Sequence, residues 1–409
     1  MGLKQGYKQT EMGTIPEDWI VPELAEVTRS DSPICYGIVQ VGPYDRDGVP
    51  VLAIKNLNSD YNSNIHRASI EIERPYARSR VRPEDIVISV KGTTGRVGIV
   101  PSSFHGNISR DIARIRLVES VLPKFIYQML QSDLAQGRLV GAAVGTTRME
   151  LSIAILKRVR IALPPTKVEQ AAIAMALTDV DDLIELLGQL IAKKRSIKQG
   201  ILQELITGER RLPGFESKPG YKETEAGRIP RDWDSDNIEN LARITTGGRN
   251  TQDRIADGQY PFFVRSQKIE RINSYSYDGE AVLTAGDGVG TGKVFHYVNG
   301  KFDAHQRVYR ISDFSERING YFFFLYFSCN FYNRIMQMTA KSSVDSVRRE
   351  MIANMLIPIP PTKAEQGAIA EIIRDAEAEI DGLEAKLGKA RKIKQGMMQE
   401  LLTGRIRLI

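Results

Sequence analysis

Residues 362–404 read TKAEQGAIAEIIRDAEAEIDGLEAKLGKARKIKQGMMQELLTG and decide the fold, because a helix start, a helix stop and an unbroken apolar seam lie within them. Thr362 and Glu365 fit a capping box directly after two prolines, and Gly404 suits the residue that ends a helix. The seam alternates steps of four and three, which is coiled-coil heptad spacing. At 1.5 Å per residue the helix is on the order of 60 Å long. The seam positions are Ile369, Ile373, Ala376, Ile380, Leu383, Leu387, Ala390, Lys394, Met397 and Leu401.

The same signals occur a second time, earlier in the chain. PPTKVEQAAIA from Pro164 recurs as PPTKAEQGAIA from Pro360, and KKRSIKQGILQELITGERRL from Lys193 recurs as KARKIKQGMMQELLTGRIRL from Lys389. Both pairs are 196 residues apart, so the sequence predicts two similar long helices, near 166–207 and 362–403. The seam of the first helix is Ile173, Leu177, Val180, Ile184, Leu187, Ile191, Lys194, Lys198, Ile201 and Leu205.

A third duplicated motif opens each copy. GYKQTEMGTIPEDW at Gly6 recurs as GYKETEAGRIPRDW at Gly220, with ten of the fourteen positions identical. The chain between this motif and the helix aligns poorly between the copies, so one part stayed alike while another diverged. This architecture indicates a common mechanical role combined with two individual specificities.

Two packing arrangements are compatible with the seams. Each seam can pack on its own globule, or the two helices can pair antiparallel, which suits a narrow seam over five heptads. Gly200 and Gly396 occupy matching positions off the seam, where a glycine costs about 1 kcal/mol relative to alanine. We predict that another subunit docks on this IKQG face; tolerance inherited from the duplication is the alternative.

The two divergent segments mix β-rich runs with helical runs, which indicates α+β globules. Leu122 to Arg138 and Ile318 to Met338 are predicted to be helical. The predicted strands are Val49–Ile54, Asp85–Val90, Ala113–Leu117, Tyr260–Val264 and Val308–Ile311.

Loops rich in Gly, Thr and basic residues follow these strands at corresponding places. Glycine allows close backbone approach, and basic, amide and hydroxyl side chains can read base edges or hold phosphates. Neither glycine-rich loop is a P-loop, since Val294 follows Lys293 where that motif needs Ser or Thr. For any one of these residues, ordinary turn chemistry is the competing interpretation. The paired segments are 89–98 with 283–293, 107–111 with 303–307, and 141–148 with 338–348.

Composition narrows the class of protein. The chain has 409 residues, 42% of them hydrophobic, and a net charge of +6, which permits an anionic partner without proving one. We expect no membrane span, no secretory signal and a cytoplasmic location.

Cys35 and Cys329 are expected to be reduced, buried thiols. The four histidines lack metal-site spacing, and no nucleophile elbow or defensible catalytic triad occurs.

Taken together, the three duplicated motifs resemble the specificity subunit of type I restriction–modification systems, over essentially the whole chain. The resemblance implies two target-recognition domains that each read one half of a split, asymmetric site in double-stranded DNA. It also implies two similar helical regions that form an antiparallel coiled coil, set the gap between half-sites and dock two methyltransferase subunits. Restriction (motor/nuclease) subunits complete such a complex. The chain lacks the [DN]-P-P-[FY] tetrapeptide of adenine methyltransferases, so a non-catalytic role is expected, with S-adenosylmethionine and ATP used by partner subunits and no cofactor bound here.

The sequence therefore predicts an α+β fold with an internal pseudo-two-fold repeat. Its segments are residues 1–157 and 215–355 as recognition domains, and 158–214 and 356–409 as helical spacers. DNA contacts are expected from loops in the major groove. The candidates are Tyr36, Lys55, Asn56, Lys91, Thr93, Thr94, Ser109, Arg110, Thr147 and Arg148 in the first domain and Arg249, Asn250, Arg265, Gln267, Lys293, Gln306, Arg307, Ser342 and Ser343 in the second.

Three alternatives stay open. The partner could be a single chain with fused nuclease and methyltransferase activities, which the co-purifying subunit would reveal. The globules could bind proteins instead of DNA, in which case binding would be independent of salt. A stand-alone enzyme is the third, and turnover by the isolated chain would expose it.

Overall fold

The structure is a computed structural model that describes residues 5–57, 61–141, 150–338 and 346–408. The chain divides into two compact units, residues 1–188 with 385–409 and residues 189–384. Each unit holds one mixed α/β globule together with part of both long helices. These units cut the chain differently from the four predicted segments, whose limits stay a prediction.

The first globule is built from short strands and short helices, followed by the first long helix. Its strands are β1 (Tyr7–Thr10), β2 (Gly13–Pro16), β3 (Cys35–Tyr36), β4 (Val49–Leu52), β5 (His66–Ala68), β6 (Ile86–Ser89), β7 (Val97–Ile99), β8 (Asn107–Ile108) and β9 (Ile112–Ile115). Its helices are α1 (Ile70–Glu73), α2 (Pro123–Gln131), α3 (Asp133–Gly141), α4 (Ile153–Lys157) and the long α5 (Lys167–Thr207).

Two small sheets and a hairpin organise this globule. β1 and β2 form the hairpin, and β3-β9-β6-β7 is an antiparallel sheet. The other sheet has the order β5-β4-β8, in which β4 and β8 are parallel. The main core includes Trp19, Phe125 and Ile173, so the N-terminal motif, α2 and the start of α5 share one apolar interior.

The second globule follows the same plan with longer strands. Its strands are β10 (Tyr221–Thr224), β11 (Gly227–Pro230), β12 (Asp234–Asn237), β13 (Arg243–Thr246), β14 (Tyr260–Phe263), β15 (Glu270–Ile272), β16 (Tyr277–Ala285), β17 (Phe295–Ala304), β18 (Val308–Ser312) and β19 (Leu356–Ile359). Its helices are α6 (Ile238–Leu241), α7 (Gly320–Gln337), α8 (Arg349–Ala353) and the long α9 (Lys363–Leu401). The main sheet has the order β13-β18-β16-β17-β14-β15, with β14 parallel to β17.

The two long helices begin and end close to where the sequence predicts. The Thr166 and Thr362 hydroxyls each accept a hydrogen bond from the backbone N–H three residues later, at 3.2 Å, which is the threonine half of the predicted capping box. Gly208 and Gly404 follow the helix ends with φ of +71° and +67°, the left-handed conformation that glycine adopts without steric penalty.

The seam residues near the helix ends lie in the globule cores together with residues of the other helix. Ile173 of α5 and Leu401 of α9 belong to one core in the first unit. Leu205 of α5 and Ile373 of α9 belong to one core in the second. At these ends, the seam residues of both helices are therefore buried in the core of a globule, whereas a coiled coil along the whole seam stays a prediction.

In the first unit, the duplicated N-terminal motif holds the two helix ends together. Tyr7 donates to the carbonyl of Gly404 at 3.1 Å. Arg407, just beyond α9, binds Asp18 at 3.0 Å and Glu169 of α5 at 2.8 Å. We call this arrangement of Tyr7, Asp18, Glu169 and Arg407 the first clamp.

The second unit repeats the arrangement with its own residues. Tyr221 donates to the carbonyl of Glu209 at 3.1 Å, and Arg211, just beyond α5, binds Asp232 at 2.7 Å and Glu365 of α9 at 2.9 Å. These residues form the second clamp. The two clamps explain why the opening motif and the helix ends were kept alike while the globules diverged.

Residues 122–138 are helical as predicted, but the segment is divided, since α2 ends at Gln131 and α3 begins at Asp133. Ser132 between them has extended backbone angles. Its hydroxyl donates to the carbonyl of Met129 at 2.7 Å and accepts from the N–H of Ala135 at 3.3 Å, so it caps both helices. A serine that satisfies two helix ends locally overrides the helical periodicity around it.

Candidate nucleic-acid interface

In the second globule, the loop after β13 lies against the turn between β17 and β18. The N–H of Arg249 donates to Ala304 at 3.2 Å, and the N–H of Gln306 donates to the carbonyl of Arg249 at 2.9 Å. The Gln306 side chain also donates to Asn250 at 2.7 Å. Three predicted DNA-contact residues from distant parts of the chain thus form one exposed patch.

A second pair of predicted residues meets on a carboxylate that the sequence did not single out. Arg265 and Arg307, both exposed, lie 2.8 Å and 3.7 Å from the carboxylate of Asp287. Two guanidinium groups share one negative charge, so the local balance is positive. Asp287 belongs to the glycine-rich loop between β16 and β17.

That loop projects from the sheet. Gly288 and Gly292 have φ of +80° and +67°, and a Cβ on Gly292 would lie 2.5 Å from the side chain of Ile335. Val289 between them is fully exposed. Gln267 donates to the carbonyl of Lys293 at 3.2 Å, which brings the last two described candidates of this globule to the same loop.

Asp303 is the buried support beneath these loops. Its carboxylate accepts from Ser274 at 2.9 Å, Ser276 at 2.8 Å and Arg249 at 3.1 Å. Burial alone would raise the pKa of Asp303, but the hydrogen bonds to its charged form outweigh burial and hold the pKa below the usual range. The carboxylate therefore orients Arg249 while remaining ionised.

The surroundings of the neighbouring His305 favour its neutral form. Burial lowers its pKa, and the positive charge of Arg265 lowers it further. Its Nδ1 accepts from the N–H of Arg307 at 3.0 Å, so it shapes the turn instead of adding a charge.

In the first globule, a smaller patch forms at the equivalent place. The N–H of Gly37 donates to Ser109 at 3.3 Å and the N–H of Arg110 donates to Ile38 at 2.8 Å, which joins the strand of Tyr36 to the turn after β8. Tyr36 and Arg110 are exposed, whereas Ser109 is buried with its hydroxyl unpaired among the described residues.

The loop between β6 and β7 carries the next three candidates. The Lys91 ammonium lies 2.8 Å from the carboxylate of Glu150 and is half-buried, while Thr93 is exposed and its carbonyl accepts from Ser89. Thr94 is half-buried. This loop corresponds to the glycine-rich loop of the second globule but contains fewer residues.

Asn56 and Lys55 lie in a short 3₁₀ turn after β4. Asn56 is only 2% exposed, accepts from the N–H of Ala53 at 3.1 Å and donates to Ser63 at 3.1 Å. Its amide is used to hold the turn, so in this conformation Lys55 is the exposed member of the pair. Thr147, Arg148, Ser342 and Ser343 lie outside the described residues. DNA contact by each candidate stays a prediction.

A basic cavity next to Tyr36 was missed by the sequence reasoning. It encloses about 870 Å³ in the first globule, and arginines at alternating positions 78, 80 and 82 line it together with His105 and Lys157. The alternation in ARSRVR was the available signal. Arg80 pairs with the carboxylate of Glu73 at 2.6 Å. The lining remains basic, since its arginines and lysine outnumber Asp31, the acid in the lining.

Two further expectations concern cysteines and metals. Cys35 and Cys329 are free, as expected, but they are half-buried instead of buried. Within the described ranges no group of His, Cys, Asp and Glu is arranged to hold a metal ion. Over the same ranges, none of the helices combines the length and apolarity needed to cross a bilayer.

Comparison with known proteins places these features in a family. The family described as type I restriction modification DNA specificity domain matches residues 16–193 and 230–391, which is most of the chain. The EcoBI specificity subunit of Escherichia coli is 31% identical over 203 residues, 48% of this chain and 42% of that relative. The chain thus spans about two fifths of the EcoBI relative. The MjaIX specificity subunit of Methanocaldococcus jannaschii is 21% identical and is matched over 98% of this chain and 96% of its own length.

Among solved structures, the S subunit of a type I restriction–modification system from M. genitalium has a TM-score of 0.64 at 14% identity. The likeness covers 98% of both chains and concerns the fold.

Proposed function

The chain belongs to the type I restriction modification DNA specificity family, and we propose on that premise that it is the DNA-reading subunit of such a complex. In this role each globule reads one half of a split, asymmetric site in double-stranded DNA. The proposed recognition domains are residues 1–157 and 215–355.

The observation that carries the proposal is the positive loop surface of the second globule. Arg249, Arg265, Arg307 and Lys293 come from four separate loops and are all exposed, with Asp287 and the buried Asp303 as their acidic partners. Arginine held in a fixed orientation by a carboxylate is suited to bidentate contact with guanine or phosphate. The exposed Tyr36, Lys55 and Arg110 give the first globule a weaker version of the same surface.

Pairing of the two long helices as an antiparallel coiled coil would set the distance between the half-sites. Ion pairs within each unit support this arrangement. In the first unit Asp181 of α5 lies 2.6 Å from Lys394 of α9. In the second unit Lys194 of α5 lies 2.7 Å from Glu379 of α9. Residues 158–214 and 356–409 would then act as the spacers.

Two methyltransferase subunits would dock on the helices, at the face marked by Gly200 and Gly396. Both glycines are exposed, and a Cβ at either position meets no atom within 4 Å. Ile197, one turn before Gly200 on α5, is also exposed, which leaves apolar surface beside this glycine. Methylation with S-adenosylmethionine would belong to these partners, and ATP-driven translocation to the restriction subunits. The chain itself would bind no cofactor and act in the cytoplasm without catalysing a reaction.

The test begins with the chain purified together with its partner subunits. Mapping methylated adenines in the host genome gives the site, and a duplex that carries it is then titrated at several salt concentrations. Arg265→Ala and Arg307→Ala should each weaken binding about tenfold, and loss of a phosphate contact should lower the salt slope by about one. Lys222→Ala, an exposed cation on the β10–β11 hairpin, is the matched control and should change neither quantity.

Salt-independent binding, or no affinity for any duplex in the presence of the partners, would favour a protein-binding scaffold instead. A single co-purifying chain with both nuclease and methyltransferase activities would place the protein in a related restriction system. Turnover by the isolated chain would overturn the non-catalytic role.

A further inference from the structure

One carboxylate in the first unit joins the globule to both long helices. Asp181 of α5 lies 2.6 Å from the ammonium of Lys394 on α9. Its other oxygen accepts a hydrogen bond from the amide of Gln128 at 2.8 Å. Gln128 belongs to α2 of the globule and is buried. The same side chain thus fixes both the register of the two helices and the position of the globule on them.

The second unit has the same three-way contact. Glu377 of α9 lies 2.9 Å from the ammonium of Lys198 on α5, and its other oxygen accepts from the hydroxyl of Tyr321 at 2.7 Å. Tyr321 belongs to α7 of the globule, and Arg374 lies 3.9 Å from its ring centroid. Burial raises the pKa of Tyr321, and the hydrogen bond to Glu377 raises it further, so the hydroxyl is a stable donor.

The contact occurs once in each copy of the repeat, with matching helix residues and different globule residues. Asp181 and Glu377 occupy matching positions 196 residues apart, as do Lys198 and Lys394. The globule donors do not match, since Gln128 lies in the second turn of α2 whereas Tyr321 lies in the first turn of α7. Two diverged globules therefore reach the same helix carboxylate with different residues, which indicates that the contact itself was retained.

Other ion pairs between the helices lack the third partner. Lys194 with Glu379 and Arg195 with Glu384 lie at 2.7 Å and 2.6 Å, but neither acid contacts the globule among the described residues. The side chains of Lys394 and Lys198 are also less exposed, at 15% and 24%, than those of Lys194 at 35% and Arg195 at 63%. Charge-assisted bonds at such shielded positions are stronger than surface pairs.

We infer that Asp181 and Glu377 are positioning residues. Each couples the position of its recognition globule to the register of the helix pair. Together they sharpen the complex's choice of gap length between the two half-sites. The inference rests on the proposed function. Because one carboxylate serves both contacts, a slip of the helices also breaks the hydrogen bond to the globule. A polar residue at a seam position, as Lys198 and Lys394 are, fixes helix register in coiled coils generally.

The experiment uses the complex with its partner subunits and duplexes in which the mapped half-sites are separated by the native gap or by one base pair more or fewer. Glu377→Gln and Asp181→Asn should each reduce the preference for the native gap about fivefold, the equivalent of the ~1 kcal/mol that one hydrogen bond contributes. Tyr321→Phe, which leaves the helix ion pair intact, should do the same. The matched control Glu379→Gln should keep the wild-type preference.

A role limited to stability would lower affinity equally for all three gaps, and that result would overturn the inference. Thermal melting checks that the isosteric variants fold. Wild-type complex that binds the half-sites but shows no gap preference would overturn the inference while leaving DNA reading intact. Wild-type complex that binds no duplex would overturn the proposed function as well.

Discussion

Asp18 and Asp232 occupy equivalent positions in the two clamps. The side chain of Asp232 is only 3% exposed, whereas that of Asp18 is 50% exposed. Burial would raise the pKa of Asp232, yet hydrogen bonds from Arg211 and Ser217 lower it to about 2. A folded-state pKa below the unfolded value stabilises the protein above about pH 4, and this stability is lost as the pH falls towards 2. Asp232 therefore makes the second unit sensitive to acid.

Asp232→Asn should lower the free energy of unfolding of the second unit by about 2 kcal/mol at pH 7, and the difference from wild type should vanish near pH 2. Denaturant titration followed by the emission of Trp233, in a Trp19→Phe background, measures this. Asp18→Asn is the matched control and should cost less than half as much. A constant difference at all pH values would contradict the assignment of the pKa.

At the proposed DNA-binding surface, Asp287 restrains two arginines, so its removal should increase non-specific binding. Asp287→Asn should raise the affinity of the complex for random duplex, and the salt slope should steepen by about one for each additional phosphate contact. Asp278→Asn, an exposed acid on β16, makes the same charge change outside these loops. Equal effects of both variants in a salt titration would mean that net charge alone is responsible.

At the scale of elements, features set by neighbouring residues were predictable and features set by distant ones were not. The Thr362 cap and the Gly404 stop depend on a few adjacent residues, and both were found where predicted. The parallel pairing of β14 with β17 joins residues about forty positions apart, which no local pattern reports. For the same reason, Arg265 and Arg307 were found as candidates, but Asp287 between them was not.

Asn56 illustrates the limit for single site residues. Its polarity made it a plausible reader of bases, but the same amide satisfies a turn of its own chain. Side-chain to backbone bonds of this kind are the usual role of asparagine in turns. Sequence alone ranks residue types by chemistry, whereas burial decides which of them can reach DNA.

The helix glycines give a prediction that separates stability from docking. Gly200→Ala and Gly396→Ala should each stabilise the isolated chain by about 0.5–1 kcal/mol, because the added methyl group meets no atom and alanine favours helix. Gly382→Ala should stabilise it equally. Thermal unfolding measures this effect for all three variants.

If partner subunits dock at the IKQG face, only the first two variants should weaken the complex, and Leu at these positions should weaken it further. Size-exclusion chromatography with the methyltransferase subunits compares the three. Unchanged assembly with Leu at both Gly200 and Gly396 would exclude docking there.

At the scale of the whole molecule, the repeat in the sequence and the compact units in the structure divide the chain differently. The sequence repeats as globule followed by helix, whereas each unit combines its globule with parts of both helices. The reason is physical, since a seam of apolar residues on one long helix is buried only when the other helix and the globule share it. The order of the motifs was visible in the sequence, whereas the sequence left open whether each seam packs on its own globule or against the other helix.

The proposed spacer role predicts how gap length responds to helix length. One heptad inserted after Gly188 in α5 and one after Glu384 in α9 keep the seam in phase to within about 20°. The insert adds about 10 Å. Because base pairs are stacked about 3.4 Å apart, the preferred gap should lengthen by about three base pairs while both half-sites stay the same. Methylation mapping in the host measures the gap directly.

Three-residue inserts at the same two positions provide the control, because they rotate the seam out of phase and should abolish methylation at split sites instead of moving it. Each half-site would then still be bound by its own globule in a duplex titration. An unchanged gap in the heptad variant, with methylation retained, would show that the distance between half-sites is set elsewhere, and the helices would then serve assembly alone.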